Sequence, residues 1–264
     1  MSRFIPLSAE RFGPLSWNSW SLPLHADTMH VVPLAAPEAS RAAAQLPLVF
    51  IKNELGAVVL CMLCGLEPNK SVCVNGLGQW EPAYMPAVVR TYPFRLMAPP
   101  PGQGTANQRV VCVDTDCSLV GMGLDIPFFV GQQPSAQVQR IIDFLGRMAK
   151  HYALTERAAG ALERHGLLKP WLIKDEQGQA ILGGLMQVDE SKLAGLDAAA
   201  LSELHRLGAL ALAYTQLIST QQLPKLWNLY AKPAQQNKAI KGQAEYLVQF
   251  DLLGDEPSLG FEGI

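Results

Sequence analysis

Hydrophobic residues in the first half of the chain come in short runs bounded by proline, glycine or polar residues, a pattern typical of β-strands. Residues 28–34 (TMHVVPL) and 46–52 (LPLVFIK) are rich in the β-branched and aromatic side chains that favour strands. Residues 56–66 (GAVVLCMLCGL) are apolar almost throughout, as in a strand that is buried on both faces. Residues 109–114 (RVVCVD) predict another short strand, so residues 1–130 are predicted to be mainly β.

Prolines and glycines divide these predicted strands. Six prolines within the first 50 residues predict extended segments and turns there, because proline interrupts helices. The Asn75-Gly76 pair predicts a hairpin turn, since glycine adopts positive φ at little cost. A short helical turn is predicted before Pro93, and residues 98–108 (APPPGQGTANQ) predict a loop.

The hydrophobic spacing changes to that of helices near residues 132–135. Ser135 is a good N-cap for a helix whose apolar positions recur on one face, and Gly166 is a natural residue to end that helix. Residues 171–174 and 179–182 flank a predicted turn, so we expect a small hairpin there.

Further helices are predicted beyond this hairpin. Asp189 and Asp197 are candidate N-caps. Residues 201–217 predict one buried helix, or two helices broken near Gly208, and Pro224 lies near the start of the last helix.

Together these patterns predict an α+β fold with a mainly β N-terminal half, followed by a helical C-terminal half that contains the small hairpin. We predict one compact domain over residues 1–236, β-rich over 1–130 and helix-rich over 135–236. Residues 237–264 form a tail with one candidate strand (EYLVQF, residues 245–250), and such a tail can become ordered on a partner.

Composition and charge exclude several classes of protein. With 49% hydrophobic and 17% charged residues, the chain of 264 residues can bury a sizeable core and is not disordered. The net charge is −2 and no basic run occurs, which argues against nucleic-acid binding. No run reaches the roughly 18 to 20 apolar residues that cross a bilayer, and the N-terminus lacks a signal-peptide pattern. We therefore expect no transmembrane segment and a cytoplasmic protein.

The cysteine and histidine residues predict neither a metal site nor a bound cofactor. The five cysteines are an odd number, and several lie in apolar runs, which favours reduced, buried thiols. Cys61 and Cys64 have redox-motif spacing, but both lie within the apolar run of residues 56–66 and have no second ligand pair. The histidines lack the spacing of known metal motifs.

The most prominent group of aromatic side chains with an arginine lies within the fifteen residues 80–94. It comprises Trp80, Tyr84, Arg90, Tyr92 and Phe94. Aromatic residues and arginine are enriched where proteins bind peptides or other proteins, so this aromatic cluster is a candidate binding site. Ordinary packing in the core explains the same residues equally simply.

Three polar residues complete the candidate site. Asp114 and Asp116 form a carboxylate pair at the end of a predicted strand, where ion pairs with Arg90 or Arg109 are the simpler explanation. His30 lies between strand-like residues, either as a structural hydrogen-bonding group or as part of a pocket.

Nine motifs follow one another in a characteristic order. The most specific are GQWEPAYMPAVVRTYPF at residues 78–94 and GALALAYTQLIS at residues 208–219; the others are HVVPL, PLVFIK, GLEP, CVDTDCSLV, QRIIDFL, GLLKPW and VDESKL. With these motifs the chain resembles the SapC family of bacterial proteins, from near Pro6 to about Leu226. By its name this resemblance implies an association with bacterial surface layers. It also implies a link to proteins encoded near TonB-dependent receptors and flavin-dependent halogenases. It brings no catalytic residues to this chain.

We therefore expect a non-catalytic binding or accessory protein that engages a peptide or protein partner. An enzyme, or an enzyme's partner, acting on peptides linked to TonB-dependent receptor systems is the alternative, with a site around His30, Arg90 and Asp114. A surface-layer component is a weaker alternative, because no export signal is visible.

Overall fold

The computed structural model describes residues 3–97, 99, 109–174 and 177–231. Within these residues the strands, numbered in chain order, are β1 (Phe4–Pro6), β2 (Ser16–Trp17), β3 (Val31–Pro33), β4 (Leu48–Lys52), β5 (Val58–Leu63), β6 (Phe94–Met97), β7 (Val110–Asp114), β8 (Val120–Gly121), β9 (Ile126–Pro127), β10 (Phe129–Val130), β11 (Gln133–Pro134), β12 (Leu168–Pro170) and β13 (Met186–Val188). The helices are α1 (Ala9–Phe12), α2 (Ala36–Ala43), α3 (Ala87–Arg90), α4 (Ala136–Arg164), α5 (Glu190–Ala194), α6 (Ala198–Arg206), α7 (Ala209–Ser219) and α8 (Leu223–Ala231). The α+β prediction is confirmed.

The loop at residues 98–108, apart from residue 99, lies outside the described residues. The tail at residues 237–264, with its candidate strand, lies outside them too. None of the helices in the described ranges is long and apolar enough to cross a membrane.

The described residues divide into two compact units. The first unit comprises residues 3–21, 88–97, 99 and 109–150, and the second comprises residues 22–87, 151–174 and 177–231. One domain over residues 1–236 stays a prediction.

The first unit is built from small antiparallel sheets around a core of rings. Strand β7 lies between β1 and β6, and β2 lies between β8 and β9. Strands β10 and β11 form a separate hairpin. The rings of Trp17 and Phe94 meet edge to face with their centroids 4.9 Å apart, and Phe128 packs against both. Edge-to-face contacts of this kind stabilise a core beyond the area that they bury.

The second unit contains a five-stranded antiparallel sheet in the order β12-β13-β4-β5-β3. The apolar run of residues 56–66 supplies β5, which lies between two other strands and is almost wholly buried, as predicted. Helix α7 packs on β4 and β13, and α2 packs on β4 and α7. These two helices therefore cover the sheet over its central strand.

The amide of Gln216 on α7 joins two strands of this sheet. Its oxygen accepts a hydrogen bond from Val188 N at 2.9 Å, and its nitrogen donates to Leu48 O at 3.1 Å. The Ser219 hydroxyl accepts from Leu48 N at 2.8 Å. Because Gln216 and Ser219 are fully buried, these bonds satisfy backbone groups that water cannot reach.

The predicted helix ends are confirmed where their signals are local. Ser135 Oγ accepts from Val138 N at the start of α4, and Asp197 Oδ1 accepts from Ala200 N at the start of α6. Gly208 has a φ of 69° and separates α6 from α7, the second of the two arrangements predicted there. Glycine adopts this left-handed conformation without steric cost.

The prediction that the first 50 residues hold only extended segments and turns is wrong at the short helix α1 and at α2. Pro37 occupies the first turn of α2, where a missing N–H costs nothing, so it starts the helix instead of interrupting it. Glu38 then accepts a hydrogen bond from Ala35 N at 2.9 Å, and the alanines that follow favour a helix.

The predicted Asn75-Gly76 hairpin is present as a single antiparallel bridge between Val74 and Trp80, but its turn is wider than predicted. The positive φ falls on Gly78 instead of Gly76, because Asn75 Oδ1 accepts two backbone N–H bonds and winds the chain into a wider turn. The second predicted hairpin is present as an antiparallel bridge between Lys174 and Ala180.

Candidate functional site

The residues of the predicted aromatic cluster are divided between the two units. Trp80 and Tyr84 belong to the second unit, whereas Arg90, Tyr92 and Phe94 belong to the first. His30 is in the second unit, and Asp114 and Asp116 are in the first.

Trp80 and Tyr84 are held by hydrogen bonds within the second unit. The indole N–H of Trp80 donates to the Tyr84 carbonyl oxygen at 2.9 Å. The Tyr84 hydroxyl donates to Glu38 Oε1 at 2.9 Å, and the Tyr84 side chain is only 8% exposed. The Tyr84 side chain is therefore part of the core, where its hydroxyl is a hydrogen-bond donor to the buried Glu38 carboxylate.

Tyr92 and Asp114 form a hydrogen bond within the first unit. The Tyr92 hydroxyl donates to Asp114 Oδ2 at 3.0 Å, while Asp114 Oδ1 accepts from the backbone N–H groups of Arg3 and Asp116. Burial, and hydrogen bonding to Cys117 and Asp114, raise the pKa of Tyr92. This set of contacts fixes the end of β7.

Arg90 and Phe94 differ in exposure. Phe94 is buried in the ring core of the first unit. Arg90 is half-buried, and its guanidinium lies 5.6 Å from the centre of the Phe144 ring, a cation–π distance. Its carbonyl oxygen accepts from the indole N–H of Trp20.

His30 has a structural hydrogen bond. Its Nδ1 accepts from Asn69 N at 3.1 Å, which requires the neutral ring. Burial also favours the neutral ring, because it lowers the pKa of His30. The imidazole therefore supports the turn at Asn69, which has a φ of 59°.

The cysteine prediction is confirmed, since Cys61 and Cys64 are free thiols with no exposed surface. Burial raises the pKa of the Cys61 thiol to about 12, and burial with hydrogen bonding to Cys73 raises that of Cys64. Neither thiol is a nucleophile near neutral pH. In the described ranges no group of three or more His, Cys, Asp or Glu side chains is placed to hold a metal ion.

Two surface features of the second unit were not predicted. The first is the outer face of α7, where Tyr214 is 54% and Ile218 is 69% exposed, with Ala211 exposed one turn earlier. We call these three residues the α7 face. The sequence motif GALALAYTQLIS indicated a buried helix, and nothing in it distinguishes these outward positions.

The second feature is a small basic pocket. It has a volume of about 150 Å³ and is lined by residues of α2, α4 and the junction between α6 and α7, among them Leu154, Arg157, Arg206 and Gly208. Only Gly208 carried a sequence signal, as a helix break. The arginines occupy ordinary exposed helix positions, so sequence spacing could not reveal that they lie at one pocket.

Fold and surface together define an α+β protein that has an exposed apolar helix face and a basic pocket. The SapC family model matches residues 7–226. The chain therefore belongs to the SapC family. No curated protein and no solved structure is similar enough to count as a match.

Proposed function

We propose that this SapC family protein is a non-catalytic binding or accessory protein that engages a peptide or protein partner. The observation that carries the proposal is the α7 face. Tyr214 and Ile218 lie four residues apart and therefore project from the same side of the helix. Large apolar side chains grouped on a surface are typical of interaction sites.

The inner side of α7 is fully occupied. Leu212 and Ala213 are buried against the unit, and Gln216 and Ser219 hold the sheet. A helix that is apolar all round is usually buried all round. The α7 face is the part of this helix that its own unit leaves uncovered, which supports a partner there.

The sequence of α7 also defines the chemistry of the partner. Its eleven residues, ALALAYTQLIS, include no charged side chain. A charged partner would lose water here and gain no ion pair, whereas an apolar segment would remove both Tyr214 and Ile218 from water. Burying each such side chain contributes about 2 kcal/mol. We propose an uncharged, apolar peptide segment as the occupant.

The first unit supplies a second surface to test, at its two members of the aromatic cluster that are not buried. Arg90 and Tyr92 keep part of their surface exposed. Their residue types are those enriched at binding hot spots.

We also propose that the protein is located in the cytoplasm. All five cysteines carry free thiols. Such thiols are typical of compartments that are kept reducing.

The test is capture of partners from the native lysate, followed by titration of the purified partner. The double variant Tyr214→Ser/Ile218→Ser is compared with wild type, with Arg90→Ala for the aromatic cluster. Leu172→Ser is the matched control, since Leu172 is equally exposed at 59% but lies outside α7. We expect the double variant to bind at least about tenfold more weakly, a loss of about 1.4 kcal/mol. Undiminished binding by both the double variant and Arg90→Ala would refute the proposal.

A further inference from the structure

The basic pocket is built by segments of four helices, α2, α4, α6 and α7, within the second unit. Ala36 and Pro37 contribute from the start of α2, and Leu154 and Ala158 contribute from α4. Leu212 contributes from α7. Apolar side chains thus supply much of the wall.

Two guanidinium groups, those of Arg157 and Arg206, line the same pocket. Both are exposed, and neither has an ion-pair partner among the described residues. Other cations of the same unit do have such partners: Lys52 pairs with Glu163 and Arg164 pairs with Glu203. No carboxylate lines the pocket, so its charge is positive.

The junction between α6 and α7 also lines the pocket. Helix α7 begins at Ala209, and its N-cap Gly208 offers no side-chain cap to the N–H groups of the first turn. The start of α2 differs, because the Thr155 hydroxyl accepts from Ala36 N at 2.7 Å. Uncapped N–H groups at a helix start favour an anion.

From these observations we infer that the pocket binds a compact apolar group that bears a carboxylate. A cavity of about 150 Å³ lined by apolar side chains holds a molecule the size of benzene. The apolar body occupies the pocket, and the carboxylate lies between Arg157 and Arg206, which suit its planar geometry. A free organic acid and the C-terminal residue of a peptide both carry this chemistry.

The experiment uses two matched probes that differ in charge. Benzoate and benzamide share the same ring, and only benzoate is an anion. Binding to the full chain is followed by the backbone amide NMR signals, including those of Gly208 and Ala209. We expect benzoate to bind at least about tenfold more tightly than benzamide and to shift those two signals. Added salt weakens benzoate binding only.

Variants test the role of the arginines. We expect Arg157→Gln and Arg206→Gln each to weaken benzoate binding about fivefold to tenfold, and the double variant to bind benzoate no better than benzamide. Arg147→Gln is the matched control, because Arg147 is exposed on the same helix but does not line the pocket. All three positions are exposed, so each variant is expected to fold, as circular dichroism will check.

A second pair of probes separates the two sources of the ligand. A short peptide ending in phenylalanine is compared with the same peptide carrying a C-terminal amide. Tighter binding of the free-acid peptide than of benzoate identifies a peptide terminus, and the reverse identifies a small acid.

The inference is overturned if benzoate and benzamide bind equally, if neither binds at millimolar concentration, or if the double variant binds benzoate like wild type. None of these results depends on the α7 face, so this inference and the proposed function can fail separately.

Discussion

Glu38 is a buried charged residue of the second unit, and its replacement is expected to lower the free energy of unfolding. The carboxylate is fully buried and accepts at least three hydrogen bonds. Oε1 accepts from the Tyr84 hydroxyl at 2.9 Å and from Ala87 N at 2.7 Å, and Oε2 accepts from Ala35 N at 2.9 Å. One side chain therefore joins α2 to the segment that leads into α3.

The magnitude follows from these three donors. Leaving a buried donor without a partner costs about 1 to 3 kcal/mol. Glu38→Ala leaves these three donors without their acceptor. With some relief from water entering the space, we expect a loss of about 4 kcal/mol in the free energy of unfolding. Glu38→Gln keeps the volume but turns one oxygen into a donor, which faces another donor. We expect a loss of about 2 kcal/mol.

Urea unfolding followed by circular dichroism and tryptophan fluorescence measures both variants. Glu163→Gln is the control: this carboxylate also forms a short contact, 2.8 Å to Lys52 Nζ, but its side chain is 39% exposed. An exposed pair of this kind contributes less than about 1 kcal/mol. If Glu38→Ala cost no more than Glu163→Gln, the assignment of stability to the buried hydrogen bonds would be refuted.

Three further predictions concern stability. Gln216→Leu removes the two hydrogen bonds that the amide forms with β13 and β4 and is expected to cost about 3 kcal/mol in urea unfolding. Gly65→Ala is expected to destabilise the protein severely, because a Cβ there overlaps the Lys70 carbonyl oxygen, whereas Gly146→Ala has open space and is expected to stabilise α4 by about 0.5 kcal/mol. The raised pKa of Cys61 means that unfolded chains lose this thiol proton near pH 9 while folded chains keep it. Stability is therefore expected to fall as the pH rises from 9 towards 12, by up to about 1.4 kcal/mol per pH unit, and Cys61→Ala is expected to reduce that slope.

Each of these three has a contradicting outcome. A Gln216→Leu protein as stable as wild type would mean that the amide adds nothing to the direct pairing of β4 with β13. A well-tolerated Gly65→Ala would mean that the Lys70 carbonyl can move aside. An alkaline slope unchanged in Cys61→Ala would assign the loss of stability to other groups.

Local sequence signals predicted many of the elements. The caps at Ser135 and Asp197 and the break at Gly208 depend on side chains and φ angles within a few residues, so they can be read from the chain. The buried strand β5 was predicted from its unbroken apolar run. Helix α2 was not predicted, because a proline interrupts a helix at most positions and favours one only in the first turn, where Pro37 lies.

The family, the α+β class and the helices with local caps and periodicity can all be predicted from the order of the amino acids alone. Tertiary structure decided which rings are buried, and it divided Trp80 and Tyr84 from Arg90, Tyr92 and Phe94, which adjoin them in sequence. It also brought Arg157 and Arg206, from separate helices, to one pocket. The physical reason is the range of the interactions: helix periodicity and capping act over three or four residues. Exposure depends on which distant elements pack against each other.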